Sequence, residues 1–507
     1  MRFPSSTADP TKDFTSSIHD LLTERTLILA SNRGPVTLRQ KENGEVEYQR
    51  GTGGLVTALI GVLQHAQAKW IACAQTDADR AWGHGEVPLG DNDEKVWIQF
   101  VTPDESAYEG YYGVIANPLL WFLQHSMWSI FREPTIDQAM WRHWEEGYVH
   151  VNRIFAEAIS QQINAERQPA LVMLQDYHLY LAPQFIRHQF RPKGKYTLAH
   201  FIHIPWPGAE DWGFLPSRMR ERILEGLCAV DLLGFQTYED GLNFIRTCES
   251  HLPGCRVNYR KGMVRFRSHT THIRDFPISI DTRQLKQFAE SEEVGSYRDQ
   301  IQQLHGDWQI MLRIDRIEPS KNIVRGFQAF DELLELHPEH RGRVKFLALL
   351  VPSRLDVHEY GNYLDELMGI AGRVNAKYGG NNWEPIRVLV EENYPRAVAA
   401  LQLYDVLVVN SIADGMNLVA KEGPVVNRRD GVLVLSERTG AYQQLEPGVL
   451  VVSPLDVYGT AEAMHRALTM PIEERRERAS RLRSIVEEHD IVDWLHQQLN
   501  TIIQLKL

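Results

Sequence analysis

The chain is poor in several things whose absence narrows the reading. Its 507 residues contain four cysteines, Cys73, Cys228, Cys248 and Cys255. Four are too few for a disulfide scaffold, and none shows the Cys-x-x-Cys spacing of a structural zinc site, so reduced thiols are expected. No run of 18 or more apolar residues occurs, which removes a membrane-spanning helix from consideration. Positive charge is not in excess: 54 Lys and Arg against 66 Asp and Glu leave a net charge of −12. Neither a nucleic acid nor an anionic membrane surface is therefore an expected partner. Met1 to Asp20 carries Pro4 and Pro10 and lacks an apolar core, so it reads as a polar tail rather than a signal peptide, and the expected location is cytoplasmic. Repeats with a 20–50-residue period and low-complexity tracts are also missing. So is a dinucleotide fingerprint, because Gly51, Gly53 and Gly54 stand too far beyond the first strand to serve one.

What is present is alternation. Leu27 to Ala30, Leu171 to Leu174 and Leu198 to Ile204 are apolar runs followed by segments of helical period, the pattern of parallel βαβ units. A second series runs through 309–312, 344–350, 386–390, 406–409, 432–435 and 450–452, rich in Val, Leu and Ile as strands buried on both faces are. The chain is too long for one growing core. It reads as α/β with two doubly wound domains: a tail over 1–24, a first domain over 25–281, a second over 282–484, and a terminal helix over 485–507 packing back on the first.

Ligands of such sheets bind beyond the carboxyl ends of the strands, and five strand ends carry unusual polar content. Ser31-Asn32-Arg33-Gly34 follows the first strand, with Gly51-Thr52-Gly53-Gly54 after it as a turn through which amides could approach a phosphate. Gln175-Asp176-Tyr177-His178 offers an acid, a phenol and an imidazole for hydroxyl groups. In His200-Phe201-Ile202-His203 the two imidazoles, three apart on a strand, face opposite ways and cannot share a metal; His203, beside Pro205, is the site candidate. Arg313 to Asn322 supplies Arg316 and Lys321, one able to bind a diphosphate bidentately and the other as a point charge. The alternative for that run is a solvated charge cluster. Asp414-Gly415-Met416-Asn417-Leu418-Val419 leads to Glu422 in the first turns of a helix, where an acid can also simply complement the dipole.

Taken in order and at their spacing, Ser31-Asn32-Arg33, Gly53-Gly54-Leu55, Asp176-Tyr177-His178, His203-Ile204-Pro205, Arg316…Lys321 and Asp414 to Glu422 resemble the trehalose-6-phosphate synthases. These are retaining glycosyltransferases of family GT20 with a GT-B fold, two Rossmann-like domains facing across a cleft. The resemblance spans about Leu27 to Trp494. It implies transfer of glucose from a UDP- or GDP-linked donor to a sugar phosphate, forming trehalose 6-phosphate. It assigns Arg316 and Lys321 to the donor diphosphate and Glu422 to the ribose. The 416–419 backbone, with Gly53 and Gly54, belongs to the donor side, and Asp414 and His203 to the transferred ring. Arg33, Tyr112, Trp121 and Arg354 are assigned to the acceptor phosphate. His203, Asp176, Arg316 and Lys321 form the catalytic set, with Asp176 positioning the sugar or acceptor rather than attacking. The nucleotide-sugar acts as co-substrate, and neither a cofactor nor a metal is implied; whether the chain forms a homo-oligomer is left open.

The sequence also departs from that family. Trp70-Ile71-Ala72-Cys73-Ala74-Gln75 stands where a Trp-x-Gly-Trp-x-Gly segment is common, and Trp206-Pro207-Gly208 follows His-Ile-Pro. These features are similar to the pseudo-glycosyltransferase branch that forms validoxylamine 7′-phosphate. An alternative acceptor, an aminocyclitol phosphate or a glycerol phosphate, is therefore carried alongside. A non-catalytic sugar-phosphate sensor is a further alternative, opposed by the intact Arg316, Lys321 and Glu422.

Overall fold

The computed structural model describes residues 21–41, 45–50, 68–88, 95–128, 134–306, 308–353, 358–380 and 382–507. It divides the chain into two compact units, Met1–Pro277 with Val492–Leu507 and Ile278–Ile491. The sequence reading draws these lines after 281 and 484. No helix among the described residues is long and apolar enough to cross a membrane.

The first unit is built on a ten-stranded sheet. Its parallel strands are β1 (Thr26–Ser31), β2 (Ala68–Cys73), β3 (Lys95–Val101), β4 (Ala170–Gln175), β5 (Tyr196–Phe201), β6 (Leu232–Phe235) and β7 (His269–Asp275). They lie in the order β3-β2-β1-β4-β5-β6-β7, with His84–Pro88 antiparallel at one edge and Arg256–Asn258 and Met263–Phe266 antiparallel at the other. Leu29 of β1 is flanked by Trp70 of β2 and Met173 of β4. All of β1 and β4 is buried, as helices on both faces require of near-continuous aliphatic strands. Helix His150–Ala165 shows how those faces are covered. Val151, Phe155, Ile159 and Ile163, four apart along its length, are buried and form one stripe.

The sequence reading assigns no strand to β2, β3 or β6. It also carries β5 through Ile204, whereas the strand ends at Phe201. His203 therefore lies in the loop beyond the strand, and the expectation that it faces away from His200 along one strand is replaced.

The second unit carries six parallel strands: β8 (Gln309–Arg316), β9 (Val344–Val351), β10 (Ile386–Val390), β11 (Val406–Val409), β12 (Val432–Ser436) and β13 (Leu450–Val452). Their order is β10-β9-β8-β11-β12-β13, the doubly wound arrangement that reverses direction between its first and fourth strands. The six strands β3-β2-β1-β4-β5-β6 of the first unit follow the same rule, reversing between β1 and β4. Helices α1 (Ile323–Leu336), α2 (Val419–Val426) and α3 (Val457–Thr469) pack on the second sheet. A crevice opens at such a reversal, because the helices after the two central strands leave to opposite faces.

Candidate active site

In the second unit the reversal lies between the ends of β8 and β11, and a salt bridge spans it. Lys321 Nζ lies 2.5 Å from Asp414 Oδ2, both side chains largely buried. The same oxygen accepts from Asn417 Nδ2 at 3.0 Å and Ser411 Oγ at 3.4 Å. Burial works to lower the Lys321 pKa, but Asp414 and Asp315 outweigh it and hold the group above its ordinary value. Lys321 therefore stays cationic at neutral pH.

Lys321 is placed by its backbone. Pro319–Lys321 is a 3-10 turn closed by Asn322 in the left-handed conformation, φ 59°. The Lys321 carbonyl accepts a 2.5 Å bond from Arg313 NH2. Arg313 is fully buried; its Nε donates to Asp315 Oδ2 at 2.8 Å and its NH1 to Asn410 Oδ1 at 2.7 Å. A Cβ on Gly326 would sit 2.4 Å from Arg313 NH1, so only glycine leaves room for the guanidinium. Arg316 ends β8 half exposed, with NH1 3.2 Å from Glu318 Oε1.

The loop after β11 is held from two sides. Gly440 N donates to the Asp414 carbonyl and Ala441 N to that of Met416. A Cβ on Gly440 would meet the Gly415 oxygen at 1.9 Å. Asn417, at φ 69°, turns the chain into α2 and caps it, its Oδ1 accepting from Ala420 N at 3.1 Å. The first turn of α2, from Leu418 and Val419, thus sets its positive end at the carboxyl edge, beside Lys321 and Arg316. Oriented amides and two cations on one edge make an anion site in an acidic chain. Burial raises the Glu422 carboxyl to about 7, against a hydrogen bond from Tyr394 that lowers it. Neighbouring Lys421 is buried, donates to the Ile278 carbonyl and Gln444 Oε1 at 2.7 Å each, and is lowered to about 7 by burial.

In the first unit the reversal lies between β1 and β4. Asp176 follows β4 at φ 69°, ψ 176°, a region nearly confined to glycine and costing on the order of 1–3 kcal/mol. The strain is held by three bonds: Asp176 N donates to the Phe201 carbonyl, its carbonyl accepts from His200 Nε2 at 3.0 Å, and its Oδ1 accepts from His203 N at 3.3 Å. Burial takes the His203 imidazole down to about 3, so the ring is neutral. Its Nε2 donates to Gln175 Oε1 at 2.9 Å, which leaves Nδ1 as an acceptor suited to a hydroxyl group.

Tyr112 lies in the π-helical run Glu109–Trp121. Its ring stacks on Tyr108 (5.5 Å, 9°) and on His178 (5.8 Å, 11°). Tyr108 in turn receives hydrogen bonds from Asn32 and Gln75. The ends of β1, β2 and β4 are thereby tied to one aromatic stack. Arg33 projects exposed from this edge, its carbonyl accepting from Ser31 Oγ at 2.6 Å. Trp121, the last residue of the run, is 3% exposed and stacks on His125 at 4.0 Å.

Each unit thus gathers its own predicted residues: Arg316, Lys321, Asp414 to Val419 and Glu422 in one, Arg33, Tyr112, Asp176 and His203 in the other. Gly53, Gly54 and Arg354 lie outside the described residues. The sequence reading missed the site roles of Arg313, Gln175, Tyr108, Gln75 and Lys421. Gln175, Arg313 and Lys421 lie inside the motifs named above, but only Gln175 stands at a strand end, whereas Arg313 is interior to β8 and Lys421 to α2. Among the described residues one set has metal-ligand spacing, His337, Glu339 and His465, and it lies on the opposite edge of the second sheet.

Comparison with known proteins gives a consistent picture. The model of "Glycosyltransferase family 20" matches residues 25–504. The alpha,alpha-trehalose-phosphate synthase [UDP-forming] 2 of Aspergillus fumigatus is 31% identical over 479 residues, covering 92% of this chain and 95% of that protein. A solved structure of the Escherichia coli trehalose-6-phosphate protein bound with UDP-2-fluoro glucose superposes with a TM-score of 0.79 at 26% identity, over 94% of this chain and 98% of that one. The Burkholderia xenovorans alpha,alpha-trehalose-phosphate synthase (UDP-forming), in complex with glucose-6-phosphate, does so with a TM-score of 0.79 at 25% identity, over 94% and 99%.

Proposed function

The chain belongs to glycosyltransferase family 20, and from that membership we propose that it transfers glucose from UDP-glucose to glucose 6-phosphate with retention, forming trehalose 6-phosphate and UDP. It is a glycosyltransferase of GT-B fold. The observation that carries the donor half is the Lys321–Asp414 bridge across the reversal of the second sheet, with Arg316 and the start of α2 on the same edge. There Lys321, Arg316 and the loop amides take up negative charge as the diphosphate leaves, a contribution that needs no rearrangement during reaction. Glu422 accepts from ribose hydroxyls. The acceptor half rests on Arg33, Tyr112 and Trp121 for the phosphate; the family resemblance adds Arg354 to that set, and Gly53 and Gly54 to the donor set. His203, neutral with Nδ1 bare, accepts from a ring hydroxyl, and Asp176 fixes that imidazole through its backbone amide. The acceptor hydroxyl passes its proton towards the departing phosphate. Free thiols at all four cysteines support a cytoplasmic location.

The test is incubation of the full chain with UDP-glucose and glucose 6-phosphate, the product read by mass and by its two anomeric NMR signals. UDP- is expected to exceed GDP- and ADP-glucose as donor. Turnover confined to glycerol phosphate, or to a nucleotide-cyclitol with an aminocyclitol phosphate, would refute the proposed acceptor. UDP release without any phosphorylated disaccharide would do the same.

A further inference from the structure

We propose that His337, Glu339 and His465 bind one zinc-like divalent transition-metal ion at the amino edge of the second sheet, remote from the reacting groups. His337 and Glu339 follow the C-terminal end of α1, and His465 lies one turn from the end of α3. His337 Nδ1 is 3.6 Å from Glu339 Oε1. A ring nitrogen of His465 completes a set whose ligand atoms all lie within 4.8 Å of one another. Ligand bonds of 2.0–2.2 Å set tetrahedral neighbours about 3.3–3.6 Å apart, so the first pair already stands at the required spacing. Glu339 is exposed and His465 half-buried, and both can close the remaining gap.

The surrounding shell is the stronger argument. His337 Nε2 lies 2.8 Å from Glu462 Oε1, and His465 Nδ1 lies 2.9 Å from Nε2 of buried His340. Metal-bound imidazoles regularly donate their second N–H to such a carboxylate or acceptor, which fixes the tautomer and raises ligand basicity. Metal binding selects the tautomers in which His337 donates to Glu462 and His465 to His340, each leaving one ring nitrogen bare. The bare His337 Nδ1 then faces a carboxylate across 3.6 Å, two lone-pair donors with no proton between them. A cation resolves that arrangement, and two nitrogens with one oxygen favour zinc, cobalt or nickel over magnesium or calcium. The His337 and His465 rings are stacked at 3.6 Å and 8°, so binding requires one ring to tilt out of the stack, pivoting on its hydrogen bond to Glu462 or His340, before both lone pairs meet at one ion.

Position decides what such an ion would do. His337 to His340 immediately precede β9, and Gln309 Nε2 donates to the Leu468 carbonyl at 3.3 Å, which sets the end of α3 beside the start of β8. Lys321 and Asp414 stand at the other ends of their strands. The ion would pin α1 to α3 and add stability without touching the chemistry.

Full-length protein freed of metal is titrated with Zn²⁺ in competition with a chromophoric chelator, and with Co²⁺ by visible absorption. One saturable equivalent is expected, with cobalt bands free of thiolate charge transfer. At free zinc 100 times Kd the melting temperature rises by about 5–10 °C, and the turnover rate with saturating substrates is unchanged. His337→Gln/His465→Gln abolishes the equivalent, and Glu462→Gln weakens it about 10–100-fold. Glu339→Gln, at an exposed side chain that leaves the fold intact, also lowers affinity and keeps the test decisive should the double variant not fold. The rival account is a hydrogen-bonded cluster that holds no ion. No saturable equivalent in the wild-type chain would establish it, and binding undiminished in the folded variants would place the ion elsewhere; either overturns the proposal.

Discussion

Replacing Arg313 with methionine tests how the donor edge is held. The guanidinium and Asp315 are 0% and 3% exposed and lie 2.8 Å apart, so the change leaves a buried carboxylate without its cation. Breaking one partner of a buried pair costs about 3–5 kcal/mol, a large part of the roughly 5–15 kcal/mol that hold a domain folded. With a urea slope near 3 kcal/mol/M, the unfolding midpoint of the second unit falls by about 1–2 M. The loss depends on pH in a definite sense. Burial already raises the Asp315 pKa against the pull of Arg313 and Lys321, and removing Arg313 raises it further. The folded variant then keeps a proton that the unfolded chain releases, so its deficit widens as pH rises above the ordinary carboxyl range. A second variant separates stability from function. Arg313→Met/Asp315→Leu removes both charges and should regain most of the midpoint, yet turnover should stay low because the Lys321 carbonyl still lacks its anchor. Urea melts followed by fluorescence, alongside UDP release with UDP-glucose and glucose 6-phosphate, read both quantities. A single variant within about 1 kcal/mol of wild type, or one with undiminished turnover, would refute the reasoning.

Lys321→Ala or Arg316→Ala should lower kcat/KM for the donor roughly 100-fold or more, as loss of a preorganised charge-stabilising donor does; near wild-type kinetics in both would remove the diphosphate assignment. Donor KM should rise as pH falls through about 7, where Glu422 takes up its proton, and Glu422→Gln should flatten the profile; a pH-independent wild-type KM contradicts its ribose role. That same raised carboxyl makes the group's contribution to stability fall as pH rises from 4.5 to about 7, because only the folded chain holds the proton there. Gly440→Ala should displace the 414–416 loop, since its Cβ would meet the Gly415 oxygen at 1.9 Å. Donor binding measured calorimetrically is expected to weaken more than tenfold, and unchanged affinity would mean that the loop does not touch the donor.

The second sheet was legible because its strands are buried on both faces and so read as unbroken aliphatic runs. β2, β3 and β6 were not, since Ala72-Cys73, Gln99 and Gly234 interrupt the branched aliphatic pattern that marks the strands of the second sheet. At the donor edge, Lys321 and the Asp414 loop could be found because local turn chemistry places them at strand ends. Arg313 read as one more charge in a basic run. What buries it is the space left by Gly326 and the acceptor on Asn410, neither adjacent in sequence. The stack of Tyr108, Tyr112 and His178 likewise exists only once the end of β4 meets the π-helical run. His337 follows α1 and His465 lies on α3, two elements the sequence gives no reason to pair.

The first unit is discontinuous in the chain. Trp494, 1% exposed, donates from Nε1 to the Phe276 carbonyl at 3.1 Å and packs edge-on against Phe201. Leu499 and Ile502 are fully buried, and Arg25 NH2 holds the Leu507 carbonyl. During synthesis these core positions stay unfilled until Ile278–Ile491 has left the ribosome, about 10–40 s at 5–20 residues per second. The second unit, continuous in sequence, has all its parts first. The order of domain completion is therefore the reverse of the order of translation, and a chain cut short by its final helix should leave the core beside the earliest-made sheet open while the later unit stands whole.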